Sequence, residues 1–358
     1  MTRIAGSSRL DATPDVPDPC AGAVLDARDL RVWYAGAGGP IKAVDGVSFA
    51  LKRGEVLGLV GESGCGKSTL GRGLLGLMPG GAAMDGEIIF GGRNLVQMPA
   101  KNWPTERGAG LGMIFQEPMT RLDPLMRISE HFREAIRSHE KMSKRDADLR
   151  ALETLRSLGI PPSRYKNYPH EFSGGMRQRI MIALALALRP AFVVADEPTT
   201  ALDVLVEAQI IKILGQIRTT FSPAMLLITH NLGIVGQACD RVAVMYAGRI
   251  VEQGTVAEVF ADPQHPYTQQ LLGATISLTT TELRTIPGAP PDLGDPPTGC
   301  RFHPRCPHAM AVCADVLPLT TDFPSGREVE CHLQQLDVLT PEQRTPLAQE
   351  KVLIADEA

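Results

Sequence analysis

Gly61-Glu62-Ser63-Gly64-Cys65-Gly66-Lys67-Ser68-Thr69 follows the apolar run 56–60 and opens a helical pattern at Leu70. The spacing G-x-x-x-x-G-K-[ST] between a strand and a helix is that of a phosphate-binding P-loop. Its glycines let successive backbone N–H groups turn inward at the α- and β-phosphates, at the positive end of the following helix. In that arrangement Lys67 reaches the β- and γ-phosphates and Ser68 ligates Mg²⁺. A Gly-rich turn that merely fits the pattern is the competing reading, and the flanking strand and helix count against it. The loop predicts a bound nucleoside triphosphate and, alone, nothing more specific.

Upstream, residues 30–34 and 44–51 read as strands broken by the turn Gly36-Ala37-Gly38-Gly39-Pro40, an antiparallel patch leading into the P-loop strand. Downstream, 86–90 and 111–115 are strand candidates. From Pro118 to about Pro169 the chain becomes charged and amphipathic, with helices expected over 127–139 and 144–158, and reads as a helical insertion. Helix 176–188, strand 192–195, helix 204–219 and strand 225–229 then alternate, which implies an α/β core with a parallel sheet. Prolines accumulate over 287–297, and a small C-terminal domain is expected there. The expected boundaries are a loose tail over 1–21, the main domain over 22–260 with its helical part at about 117–175, an extension over 261–336, and a poorly ordered tail over 337–358.

A chain of 358 residues can hold two or three folding units. The formal net charge of -4 leaves no global basic field to recruit nucleic acid, and an aromatic content of 5% weakens a base-stacking reading further. No apolar run reaches the roughly 18 residues of a membrane span. The best candidate, 180–188, stops at Arg189-Pro190. The polar start, Met1-Thr2-Arg3-Ile4, lacks the apolar core of a secretory signal, and a cytoplasmic protein is expected.

Asp196-Glu197 ends an apolar strand, where an α/β sheet presents ligands at its carboxyl edge. Asp196 is placed to hold Mg²⁺ through water and Glu197 to polarise the attacking water. A solvated strand end is the bland alternative, and the P-loop upstream shifts the balance. Ser173-Gly174-Gly175-Met176 stands at a helix N-terminus and offers a second anion site, although an N-cap serine with a Gly turn is equally physical. Two phosphate sites and one triphosphate suggest that two chains share each nucleotide. Gln116 and His230 end neighbouring strands and so face the same γ-phosphate; Gln116 completes the Mg²⁺ shell and His230 hydrogen-bonds the phosphate.

The order P-loop, Gln116, Ser173-Gly174-Gly175, Asp196-Glu197, Ala201-Leu202-Asp203 and His230 resembles an ATP-binding-cassette (ABC) ATPase over roughly 22–260. The resemblance implies the P-loop NTPase fold of that family: a RecA-like parallel sheet, an antiparallel β subdomain and an inserted helical subdomain. It places Tyr34 as the adenine-stacking aromatic, Ser173 to Met176 as the signature closing on the partner's ATP, and Asp203 in the loop between ATPase subunits. Phe172 and Met176 depart from the usual Leu and Gln of that signature. Gln116-Glu117-Pro118-Met119-Thr120-Arg121-Leu122-Asp123-Pro124, His265-Pro266-Tyr267-Thr268 and 298–307 narrow the likeness to ATPase subunits of oligopeptide and dipeptide permeases. That implies a peripheral protein at the cytoplasmic face of the inner membrane, acting with a second ATPase, two transmembrane permeases and an extracytoplasmic solute-binding protein. Nickel or glutathione cargo, and a soluble ABC ATPase acting on nucleic acid or ribosomes, are the alternative readings.

Cys300, Cys306, Cys313 and Cys331 crowd into one segment as C-x5-C-x6-C-x17-C. In a reducing compartment such crowding favours a metal site over disulfides. Zinc sites usually show paired C-x2-4-C knuckles, which are lacking here. The resemblance implies a [4Fe-4S] cluster, with Zn²⁺, or a mixed set including His303, His308 or His332, as alternatives. Cys65 lies inside the P-loop, where the N–H groups and Lys67 are expected to lower its pKa.

Overall fold

Val, Leu and Ala dominate 56–60, 192–195 and 224–228, the composition of strands buried on both faces, and every residue of these strands is buried. The computed structural model describes residues 22–108, 110–115, 122–199, 204–274 and 285–347. Its central sheet holds β3 (Val56–Val60), β6 (Leu111–Ile114), β7 (Phe192–Asp196), β8 (Ala224–Ile228), β9 (Arg241–Tyr246), β10 (Arg249–Thr255), β11 (Thr320–Asp322) and β12 (Glu328–Glu330). Their order is β11-β12-β10-β9-β3-β8-β7-β6. β9, β3, β8, β7 and β6 pair in parallel, so β3, β6, β7 and β8 end at one edge. A second, antiparallel sheet of order β2-β1-β4-β5 joins β1 (Ala23–Gly36), β2 (Gly39–Lys52), β4 (Ala83–Phe90) and β5 (Arg93–Asn94).

The helices are α1 (Lys67–Leu74), α2 (Trp103–Glu106), α3 (Ile128–His139), α4 (Lys144–Ser157), α5 (Gly174–Leu186), α6 (Val204–Phe221), α7 (Leu232–Ala238), α8 (Val256–Ala261), α9 (Pro266–Gly273) and α10 (Ala311–Asp315). In the insertion, Ile128, Phe132 and Ile136 repeat every four residues on α3 and meet Ala147, Ala151 and Leu155 of α4. Burying a side chain such as Phe132 contributes roughly 1.5–3 kcal/mol. Ser143 caps α4, its Oγ accepting from the Asp146 N–H at 3.1 Å.

The hairpin β9–β10 is absent from the sequence reading. Ala247 and Gly248 both have positive φ, 45° and 86°, as a two-residue primed turn requires. The sheet also runs on past residue 260. β12 pairs antiparallel with the edge strand β10, placing Glu252 opposite Val329, and covers an edge that would otherwise stand open. The tail expected to be poorly ordered is tied back as far as Leu347. Leu347 N–H donates to the Ala309 carbonyl at 2.9 Å, and Ala311 N–H to that of Thr345 at 2.8 Å.

Candidate functional site

β3 delivers the P-loop into α1, and the loop fits only if two positions lack a side chain. A Cβ on Gly61 would lie 2.1 Å from the Met245 carbonyl oxygen, and one on Gly66 2.0 Å from that of Ala43; Gly66 also has φ of 106°. The loop borders an open cavity of about 220 Å³ lined by Ser63, Gly64, Gly66, Lys67, Ser68, Thr69, Glu197 and Leu293. Lys67 is buried, its Nζ donating to the carbonyls of Gly61 at 2.8 Å and Glu62 at 2.7 Å. Its charge is thus held inside the loop, where phosphate oxygens would compete for it.

Ser68 Oγ donates to Asp196 Oδ1 at 2.9 Å. Burial raises the Asp196 pKa, and the Ser68 hydrogen bond opposes that rise. A hydroxyl and a carboxylate so paired beside the cavity form the oxygen donor set that Mg²⁺ takes, and these two residues fit it. Glu197 has φ of 46°, a left-handed conformation that costs of order 1 kcal/mol and is held by its N–H donating to the Ile228 carbonyl at 2.9 Å. His230 Nδ1 stands 3.5 Å from Glu197 Oε1, with His230 exposed. Lys67, Ser68, Asp196, Glu197 and His230 are therefore brought to the one sheet edge.

Tyr34 is half-buried on β1, and its hydroxyl donates to Thr69 Oγ1 at 3.3 Å, at the loop's end. Ser173 caps α5 by accepting from the Met176 N–H at 3.4 Å. Ser173 and Gly174 are exposed, and none of 173–176 lines the P-loop cavity. Gln116 and Asp203 lie outside the described residues.

Cys65 overturns its expectation. Its side chain is only 4% exposed, and burial raises its pKa; Lys67, the largest opposing influence, does not win. Loss of hydration disfavours the thiolate more than one neighbouring ammonium favours it.

Sequence reasoning missed what the extension adds. Leu293 lines the cavity, and its carbonyl accepts from Lys42 N–H at 2.9 Å. The Tyr267 hydroxyl accepts from Glu62 N–H at 2.9 Å, and Arg305 pairs with the Glu62 carboxylate at 2.7 Å. Arg301 bonds Asp45 and the Ala247 carbonyl. Only the resemblance of 265–268 and 298–307 marked these segments, without giving their target.

Cys300, Cys306, Cys313 and Cys331 are free thiols. Burial, chiefly, pushes Cys300 and Cys331 up to about 12 and Cys306 to about 11, with neighbouring cysteines adding to it and a backbone N–H bond on each thiol opposing it. Cys300 N–H donates to the Cys313 carbonyl at 2.8 Å. His332 Nδ1 is buried without a hydrogen-bond partner. Among the described residues, no group of three or more His, Cys, Asp or Glu side chains is arranged to hold a metal ion. No described helix is long and apolar enough to cross a membrane.

Residues 44–200 match the family described as ABC transporter, and 251–313 the one described as oligopeptide/dipeptide transporter, C-terminal region. The chain is 47% identical over 317 residues to the dipeptide transport ATP-binding protein DppD of Bacillus subtilis, covering 87% of this chain and 95% of that protein. It is 45% identical over 325 residues to the oligopeptide transport ATP-binding protein OppD of Salmonella typhimurium, covering 90% and 96%. Among solved structures, cbiO1 from Clostridium perfringens, part of the ABC transporter complex cbiONQ, superposes with a TM-score of 0.59 at 28% identity, covering 67% of this chain and 92% of that one.

Proposed function

The chain belongs to the ATP-binding subunits of ABC-type oligopeptide and dipeptide transporters, and from that premise we propose how its residues carry out the ATP hydrolysis that drives peptide import. The observation that carries the reading is that Lys67, Ser68 and Glu197 line one cavity, with Asp196 bonded to Ser68 and His230 beside Glu197.

The P-loop N–H groups bind the α- and β-phosphates and Lys67 the β- and γ-phosphates, Lys67 leaving the carbonyls of Gly61 and Glu62 to do so. Ser68 and Asp196, with Gln116, would hold Mg²⁺, which would neutralise charge on the phosphates. Glu197 takes the proton of the attacking water, and His230 steadies the γ-phosphate and the Glu197 carboxylate. Tyr34 stacks on the adenine. The exposed position of Ser173 and Gly174, with none of 173–176 on the chain's own cavity, supports a nucleotide shared by two subunits. The signature and Asp203 of one then meet the P-loop of the other.

That partner is a second ATPase subunit, identical or paralogous. Two transmembrane permeases dock on the helical insertion, and a solute-binding protein supplies the peptide. The chain sits peripherally at the inner face of the membrane. The reading that the four extension cysteines would hold a [4Fe-4S] cluster, or Zn²⁺, rests on the chemistry of four thiols in one short segment alone, since as folded they form no metal-ligating group. Iron and sulfide analysis of anaerobically purified protein tests this. Zinc alone, or no metal, would exclude the iron–sulfur group.

The catalytic reading is tested in the assembled transporter with Glu197→Gln. ATP binding should persist while turnover falls on the order of 10²–10⁴-fold. Turnover at the unaltered rate would remove Glu197 from the catalytic role. Mass spectrometry of proteins co-purifying from detergent-solubilised membranes should find two multispanning permeases, and recovery with ribosomes instead would overturn the transport assignment.

A further inference from the structure

Glu62 places a carboxylate in the second position of a loop built to hold a triphosphate, so its charge opposes the ligand's. Three groups of this one residue are tethered. Its carbonyl accepts from Lys67, its N–H donates to the Tyr267 hydroxyl, and its carboxylate takes a two-pronged bond from Arg305 at 2.7 and 3.0 Å. Two of the three tethers come from the C-terminal extension, more than 200 residues along the chain.

Arg305 is built in with unusual completeness. Nε donates to the Pro287 carbonyl at 2.7 Å, Nη1 also to the Tyr246 hydroxyl at 3.2 Å, and Nη2 also to the Ile286 carbonyl at 3.4 Å. All five guanidinium N–H groups are thus used. The side chain is 6% exposed against 22% for Glu62. Tyr246, whose ring centroid lies 5.8 Å from the guanidinium carbon, belongs to an aromatic cluster with Tyr267 and Phe302, centroids 4.6–5.4 Å apart. Burial opposes the charge on Arg305, but the bonds to Glu62 and Tyr246 hold its pKa above the ordinary value.

We propose that Arg305 is a positioning residue of the nucleotide site. By neutralising the Glu62 carboxylate, it lets the P-loop accept a triphosphate and makes the C-terminal extension a working part of ATP binding. Without it, a partly buried and uncompensated negative charge stands on the P-loop, next to but outside the lining of the phosphate cavity, and its through-space repulsion weakens binding even with Lys67 and the loop amides intact. The inference rests on the nucleotide reading of the cavity.

The test is equilibrium titration of the full chain with a fluorescent ATP analogue, for the unaltered protein, R305Q, E62Q and the double variant. R305Q should weaken binding about tenfold, a change of about 1.4 kcal/mol. In ATP turnover the effect should fall on KM rather than kcat. Adding E62Q to R305Q should return affinity to within about threefold of the unaltered chain, since the repelling charge is gone. E62Q alone, which leaves the guanidinium in place, should bind at least as tightly as the unaltered protein. That single variant decides the matter if R305Q does not fold. Unchanged affinity in R305Q, a loss that E62Q does not relieve, or weaker binding in E62Q alone would overturn the proposal. Failure of the unaltered chain to bind would instead strike the nucleotide reading itself.

Discussion

Ser68 Oγ and Asp196 Oδ1, 128 residues apart in the chain, are joined by a 2.9 Å hydrogen bond across the carboxyl edge of the sheet. The register of β3 against β8, and of β8 against β7, sets that distance: each strand ends level with the next, so the start of α1 faces the end of β7. The pair gives the site its hard-oxygen donors.

Asp196→Asn should keep an acceptor for Ser68 while losing the charge for Mg²⁺. The Mg²⁺ concentration for half-maximal ATPase activity should rise about 10–100-fold. A Mg²⁺ titration of ATP turnover measures this, and a superimposable curve would show that Asp196 does not serve the metal.

Gly66→Ala should destroy the site by sterics alone. Its Cβ would lie 2.0 Å from the Ala43 carbonyl oxygen at a φ of 106°, so either the loop or the β2 backbone must move. ATP binding should be lost, with a destabilisation of at least about 1–3 kcal/mol. Near-normal affinity by isothermal titration would contradict the loop geometry.

Asp148 should stabilise the helical insertion in a pH-dependent way. Arg133 bonds both its oxygens at 2.7 Å, and the Tyr165 hydroxyl donates to it at 2.8 Å. The Arg133 bond, chiefly, holds its pKa below the ordinary 3.8, against the opposing effect of burial. The folded carboxyl therefore binds its proton more weakly than the unfolded one. The stabilisation is complete above the unfolded pKa and is lost as pH falls through the lower folded value. Asp148→Asn should cost about 1–2 kcal/mol at neutral pH, and its melting temperature should converge with that of the unaltered protein in strong acid. A constant gap across pH would assign the effect to shape rather than charge.

Cys65 should resist alkylation. Being buried with a raised pKa, it should react more slowly with iodoacetamide at neutral pH than the same peptide in denatured protein, by quantitative mass spectrometry. Equal rates would show that the loop opens far more readily than its packing indicates.

Local chemistry wrote much of this protein into its sequence. The P-loop reads directly because a phosphate cradle needs glycines and a Lys-Ser pair at fixed spacing on one strand–turn–helix unit. Asp196-Glu197 and His230 read because each closes an apolar strand, and parallel strands share a carboxyl edge. The insertion helices declared themselves by four-residue periodicity, and α3 and α4 lie where that predicts. Tertiary structure alone decided the rest. β12 on the edge of β10, Leu293 at the cavity and Arg305 on Glu62, 243 residues apart, are long-range pairings with no local period or spacing to announce them. Cys65 shows the same limit. Its neighbours in sequence argue for a reactive thiolate, but its pKa is governed by how much water the fold excludes, which depends on residues such as Met245 that the sheet brings in from far along the chain.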